Sequence, residues 1–143
     1  MEWAFVIAVV GVAVLAIALA RRLSRSKLQE LTDDWPPETK AQFRRMQARE
    51  AELEAQYPRL FEDLRQCLFK HDPMGINLET NTDEYDPEVA TIIPRLPSCT
   101  SREDVLNVVH DELVRWFGED IVKPKDRYAE LSAEIWKTWN EPS

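Results

Sequence analysis

Glycine is scarce in this 143-residue chain, which contains only three. Phosphate-binding loops of the Walker and dinucleotide types need several glycines close together, because the backbone must approach the phosphate closely. The three glycines stand at positions 11, 75 and 118, too far apart for either loop. The sequence therefore excludes the glycine-rich nucleotide-binding motifs.

Cysteine and histidine are equally rare, with two of each. Cys67 and Cys99 lack the nearby third and fourth ligands of a zinc signature, and in a reducing cytoplasm we expect two free thiols. His71 and His110 each stand beside an aspartate, but adjacent residues on a helix point in different directions. Cys99 and His110 could in principle meet as nucleophile and base, but the sequence supplies neither a third group to orient the base nor an oxyanion site. We therefore assign no catalytic, cofactor-binding or metal-binding residue, and predict a non-enzyme without a cofactor.

Positive charge is in the minority. Residues 1–27 hold four of the 18 Lys and Arg and one of the 26 Asp and Glu, which leaves 14 basic and 25 acidic side chains in residues 28–143. A net charge of −11 in that part repels phosphate backbones, so we expect no nucleic-acid binding. The acidity favours a basic protein partner or a cation, or serves solubility alone.

Charge is missing altogether from residues 3–20, the one long apolar run of the chain. At about 1.5 Å per helical residue this run spans roughly 27 Å, enough to cross the core of a bilayer. No side of such a helix is polar, which argues against a buried helix of a soluble core. The lipid bilayer is thus a predicted partner through residues 3–20.

Basic residues follow the run and do not precede it. Residues 21–27 contain four Lys and Arg, whereas only Glu2 is charged before the run. The positive-inside tendency places the N-terminus outside and the remainder in the cytoplasm. Two alternatives stay open: residues 18–20 (ALA) mimic a signal-peptide cleavage site, and the small residues of the run permit helix–helix association, hence a homo-oligomer. The predicted organisation is a transmembrane anchor at 1–22, a juxtamembrane linker at 23–37 and an acidic helical cytoplasmic domain at 38–143.

Hardly any stretch alternates polar and apolar residues, whereas helical periodicity recurs after position 37. Prolines 36–37 and Asp86-Pro87 are typical helix starts, and Pro58 should kink or split the first helix. Thr100 and Glu103 form a predicted capping box, and Gly118 a predicted αL stop. With a last helix over 125–140, the sequence predicts an all-α bundle of four to five helices behind the anchor.

The acidic stretch at 77–88 resembles a calcium loop in part. Counting Asn77 as position 1 puts oxygen-bearing side chains at positions 1, 3, 5 and 7 and Glu88 at position 12. Position 6, however, is Thr82 where the sharp turn needs glycine, and position 8 is Glu84 where an apolar residue belongs. A solvated loop, or carboxylates that cap helix ends, is the interpretation we favour over calcium binding.

Three short stretches stand out as a set: DPMGI at 72–76, DEYDPEV at 83–89 and VRWFG at 114–118. They resemble a small, largely uncharacterised bacterial domain family that we associate with immunity-type proteins, which neutralise toxins. The resemblance covers residues 65–140, brings no established catalytic residues with it, and concerns short soluble members without an anchor. It implies a set of signature residues, which we also take as candidate interaction residues: Asp72, Gly75, Asp83, Glu84, Tyr85, Asp86 and Trp116.

These observations predict a bacterial, single-pass membrane protein whose acidic helical domain binds another protein, in the manner of an immunity protein, without catalysis. The alternative is a metal-binding or enzymatic module that uses the acidic loop at 72–88.

Overall fold

A computed structural model describes residues 29–30, 32–76 and 82–141 of the chain. Those residues form helices and connections and contain no strand, which confirms the all-α class. The five α-helices described are α1 (Pro37–Gln56), α2 (Pro58–His71), α3 (Asp86–Ile92), α4 (Arg102–Phe117) and α5 (Ala129–Asn140). Two 3-10 helices, Ile93–Ser98 and Lys125–Tyr128, follow α3 and precede α5.

The predicted anchor at residues 3–20 and the basic segment at 21–27 lie outside the described residues. Within the described part of the chain, no helix combines the length and the apolar character that crossing a bilayer requires. The longest of them, α1, has 20 residues, and charged side chains occur along its whole length.

Proline sets the start of the first two helices. Pro37 begins α1, and Pro58 begins α2 after Tyr57 leaves the helical conformation, so the long helical stretch is split rather than bent. Proline lacks an N–H and disfavours a helical residue before it, which explains the break. A turn follows α2, in which the Gly75 N–H donates to the Asp72 carbonyl at 3.1 Å.

The start and the end of α4 differ in detail from the prediction. The cap residue is Ser101, whose hydroxyl accepts from the Asp104 N–H at 3.1 Å, so the predicted box at Thr100 and Glu103 is wrong by one residue. The Asp104 carboxylate in turn accepts from the N–H and the hydroxyl of Thr100. Gly118 ends the helix as predicted, but at φ 87° and ψ 152°, which is not the αL conformation.

The core lies where α2, α4 and α5 pack together, with α3 closing one side. The apolar residues that recur at helical spacing along α4 are buried: Val105, Val109, Leu113, Trp116 and Phe117. Helix α1 contributes less, because Leu53 is its one buried residue, and it packs along α2 and α3. Both cysteines are buried free thiols.

Candidate functional site

Two signature residues, Asp72 and Tyr85, join the end of α2 to the start of α3. Tyr85 is completely buried; its hydroxyl donates to Asp72 Oδ1 at 2.6 Å and accepts from the Met74 N–H at 3.0 Å. The same Asp72 oxygen accepts from the Ile76 N–H at 2.9 Å. Burial, and then the hydrogen bond to Asp72, raise the pKa of Tyr85 well above its usual range. The phenol therefore stays protonated and serves as an internal hydrogen-bonding group.

A second link between the same helices runs from Arg65 of α2 to Asp86 of α3. The guanidinium donates from Nε to Oδ1 at 2.8 Å and from Nη2 to Oδ2 at 2.7 Å, and the Asp86 side chain is 4% exposed. Arg65 also pairs with Glu62 at 2.6 Å and with Glu54 of α1 at 3.0 Å. Such a two-point contact fixes orientation as well as distance. We call the residues of both links the junction network: Arg65, Asp72, Tyr85 and Asp86.

The other signature residues are distributed around this network or lie apart from it. Gly75 is exposed in the turn at φ 68°, a backbone conformation that suits glycine. Asp83 is half-buried and Glu84 is buried, both just before α3. Trp116 lies in the core on α4, and its indole N–H donates to the Thr91 hydroxyl of α3 at 3.1 Å. Six of the seven thus lie between the end of α2 and the first residue of α3, whereas Trp116 contacts α3 from α4.

The acidic loop is less exposed than its composition indicates. Residues 72–88 contain six Asp and Glu and no Lys or Arg, yet Glu84, Asp86 and Glu88 are buried. Glu88, the twelfth position of the calcium-loop alignment, lies inside α3 and is completely buried. Residues 77–81, which are positions 1 to 5 of that alignment, are outside the described residues. Of the five acidic side chains of this loop that the structure describes, three therefore belong to the interior of the domain.

A different group of polar side chains lies between α2 and α5. Cys67 and His71 stand four residues apart on α2 and therefore on one face, and Glu134 comes from the middle of α5. One donor atom from each lies within 4.8 Å of the other two, and His71 Nε2 is 2.7 Å from Glu134 Oε2. We call these three residues the Cys67 cluster. Among the described residues, these three form the group of potential metal ligands whose ligand atoms lie close together.

The surroundings of the three side chains are unequal. Cys67 is buried, and desolvation first, then the charge of Glu134, raise the pKa of its thiol to about 12. The hydrogen bond from His71, followed by the contact with Lys70, lowers the pKa of Glu134. Lys70 Nζ lies 3.1 Å from Glu134 Oε2, but the Lys70 side chain is largely exposed. Without a bound cation, the protonated thiol is a poor nucleophile, because the reactive form is the thiolate.

Water has access to the cluster from one side. A cavity of about 480 Å³ opens beside it, with Cys67, Lys70 and Glu134 in its wall. Its remaining wall comes from α2 and from the C-terminal part of α5 and includes Asp63, Gln66, Lys137 and Thr138. The side-chain exposures rise from buried Cys67 through His71 at 21% to Glu134 at 37%, so the cluster lies at the edge of the core.

Sequence reasoning missed this cluster for a definable reason. The spacing of four residues between Cys67 and His71 was a usable signal, because it puts both on one helix face. Glu134 had no such signal, since it is 63 residues away from His71 and is brought there by the packing of α5 on α2.

Comparison with known proteins adds no relative to this picture. No family model, curated protein or solved structure matches the chain.

Proposed function

We propose that this chain is a membrane-anchored protein-interaction domain that acts by binding and not by catalysis. In this proposal residues 3–20 cross the bilayer, residues 21–27 lie at the cytoplasmic headgroups, and the acidic helical domain stays in the cytoplasm. The observation that carries it is the charge contrast along the chain: four basic side chains in 21–27 against a net charge of −11 in 28–143. A body of that charge close to an anionic leaflet attracts basic proteins and is repelled by the lipid surface.

Exposed carboxylates near the predicted membrane side support a basic partner. Between the basic segment and the body of α1, Glu30, Asp33, Asp34 and Glu38 are all exposed. The junction network uses Asp72, Tyr85 and Asp86 in internal contacts, so the contact surface proposed here is formed by the exposed carboxylates and not by these signature residues. The resemblance to immunity-type domains favours a toxin as the basic partner.

Zero-length crosslinking of the full chain in its native membrane tests the proposal. A carbodiimide joins a carboxylate to an amine in direct contact, and we expect one discrete product with a lysine-rich protein. Its yield should fall from low to high salt, because the screening length shrinks from about 10 Å at 0.1 M to about 3 Å at 1 M. The triple variant Asp33→Asn, Asp34→Asn, Glu38→Gln should reduce the yield. Changing Glu119, Asp120 and Asp126, three carboxylates that are also exposed, to amides is the matched control. Absence of a product, or a yield indifferent to salt, contradicts the proposal.

The orientation needs its own test. A reporter that fluoresces only in the cytoplasm, fused after Ser143, should be bright, and a reporter active only outside should be silent. Neutralising the four basic residues of 21–27 should mix the two orientations. A C-terminus open to protease from outside intact cells would contradict the proposed location.

A further inference from the structure

We propose that Cys67, His71 and Glu134 bind a zinc-type transition-metal ion at the seam between α2 and α5. This site lies outside the acidic loop, and it is independent of the interaction role proposed above. It rests on the identity of the three donors, on their separation and on the cavity beside them.

The separations suit a tetrahedral ion. Ligand atoms about 2.0 to 2.3 Å from zinc, at tetrahedral angles, lie about 3.3 to 3.6 Å from one another. The three donor atoms are already within 4.8 Å of each other, and His71 Nε2 and Glu134 Oε2 are 2.7 Å apart. Inserting an ion opens the His71–Glu134 pair by about 0.6 Å and draws in the Cys67 sulfur, a movement within reach of side-chain rotation.

The donor set selects the class of metal. Thiolate and imidazole ligands favour zinc and its neighbours in the first transition row, whereas calcium and magnesium prefer oxygen alone. A helical pair four residues apart, with a carboxylate from another helix, is a recurring way to supply three zinc ligands. Two of the three ligands, Cys67 and Glu134, line the cavity of about 480 Å³, which has room for water or an external ligand as the fourth ligand.

Two neighbouring features affect the site in opposite ways. The main chain of α2 and α5 is fixed by the buried residues next to the ligands, Leu64 and Leu68 on α2 and Leu131 and Ile135 on α5. Lys70 opposes the ion, because its ammonium contacts the Glu134 carboxylate. Since Lys70 is 67% exposed, its long side chain can leave for solvent when an ion enters.

Titration of the full chain in detergent micelles with Co²⁺ tests the site. Cobalt bound to a thiolate gives an ultraviolet charge-transfer band, and tetrahedral cobalt gives intense visible bands. If the three side chains form only ion pairs and bind no cobalt, neither signal appears. We expect both signals at one equivalent of Co²⁺ and their loss when Zn²⁺ displaces it.

The chain supplies a matched control for each ligand. Cys67→Ser should abolish the charge-transfer band, and His71→Ala and Glu134→Gln should weaken cobalt binding by at least about 100-fold. Cys99→Ser, His110→Ala and Glu130→Gln replace the same residue types elsewhere and should leave the titration unchanged. Lys70→Ala should tighten binding by roughly two- to tenfold, because it removes a competing positive charge.

Glu134→Gln keeps the test valid if Cys67→Ser disturbs the core, because Glu134 is partly exposed and the change is isosteric. Helical dichroism of each variant shows whether it is folded. A wild-type protein without the charge-transfer band overturns the proposal. So does a band that survives in folded Cys67→Ser, or one that Cys99→Ser removes equally.

Discussion

Helix α2 carries two polar groups that differ in what surrounds them. Arg65 and Cys67 are two residues apart, which on a helix turns their side chains about 200° from each other. Arg65 joins the junction network toward α3, where Asp86 and Tyr85 are buried and meet geometrically well-defined partners. Cys67 belongs to the cluster toward α5, which reaches an open cavity. The first arrangement is typical of a structural frame, and the second of a site with room for a ligand.

Trp116→Ala tests the structural contacts of α3 by removing a large buried side chain through which α4 packs on it. The indole is 8% exposed and its N–H donates to the Thr91 hydroxyl, which itself donates to the Glu88 carbonyl, so truncation leaves a large cavity and removes one of the two hydrogen bonds of that hydroxyl. We expect a loss of about 3–5 kcal/mol in the free energy of unfolding, measured by denaturant titration. Thr91→Val, which removes the hydroxyl with its two hydrogen bonds but keeps the indole in place, should cost less. An unchanged stability in Trp116→Ala would instead favour this residue as a partner contact.

Arg65→Ala tests the ion pair of the junction network. It leaves the buried Asp86 carboxylate without its guanidinium, and we expect a loss of about 3 kcal/mol in unfolding free energy. The control is Arg49→Ala, because the Arg49–Glu52 pair is more than half exposed and should contribute less than about 0.5 kcal/mol. Equal losses in the two variants would show that burial does not distinguish these pairs.

Tyr85→Phe tests the hydroxyl link and its dependence on pH. Removing the hydroxyl leaves Asp72 and the Met74 N–H without this partner, so we expect a loss of about 1–3 kcal/mol. Burial raises the pKa of Tyr85 above the ordinary value of 10.0. Its contribution is therefore complete below pH 10 and decreases as the unfolded chain ionises above it.

Denaturant titrations across alkaline pH measure this effect. The stability of the unmodified protein should fall more steeply above pH 10 than that of Tyr85→Phe. Tyr57→Phe is the control, because Tyr57 is 41% exposed. Parallel curves for the unmodified protein and Tyr85→Phe would contradict the assignment.

The sequence predicted the parts of the fold that depend on local signals. Prolines at 37 and 58, the periodic face of α4 and the stop at Gly118 all act within a few residues, and all appear where expected. The cap of α4 was displaced by one residue because Ser101, adjacent to Thr100, offers the same hydroxyl chemistry.

The site depends on long-range packing, which the sequence does not display. The acidic run at 83–88 looked solvated, yet Asp86 is buried because Arg65, 21 residues earlier, faces it. Glu134 joins Cys67 and His71 because α5 packs on α2. Such contacts between distant segments carry no periodic pattern, so a single sequence cannot pair them.

The smallest effect in this series is expected in the Cys67 cluster without metal. Glu134→Gln removes a partly exposed carboxylate whose contacts with His71 and Lys70 are open to solvent. Exposed ion pairs contribute little, so the metal-free unfolding free energy should change by less than about 1 kcal/mol. A larger loss would show that this cluster stabilises the fold, as the junction network does.

Unfolding of the full chain with and without Zn²⁺ tests the contrast between the two groups most directly. A ligand that binds only the folded state adds about 2.7 kcal/mol at a free concentration 100 times its dissociation constant. Tyr85→Phe should be less stable without metal and keep the full zinc increment, whereas Glu134→Gln should keep its metal-free stability and lose the increment. An equal zinc increment in both variants, or none in the unmodified protein, would contradict the account.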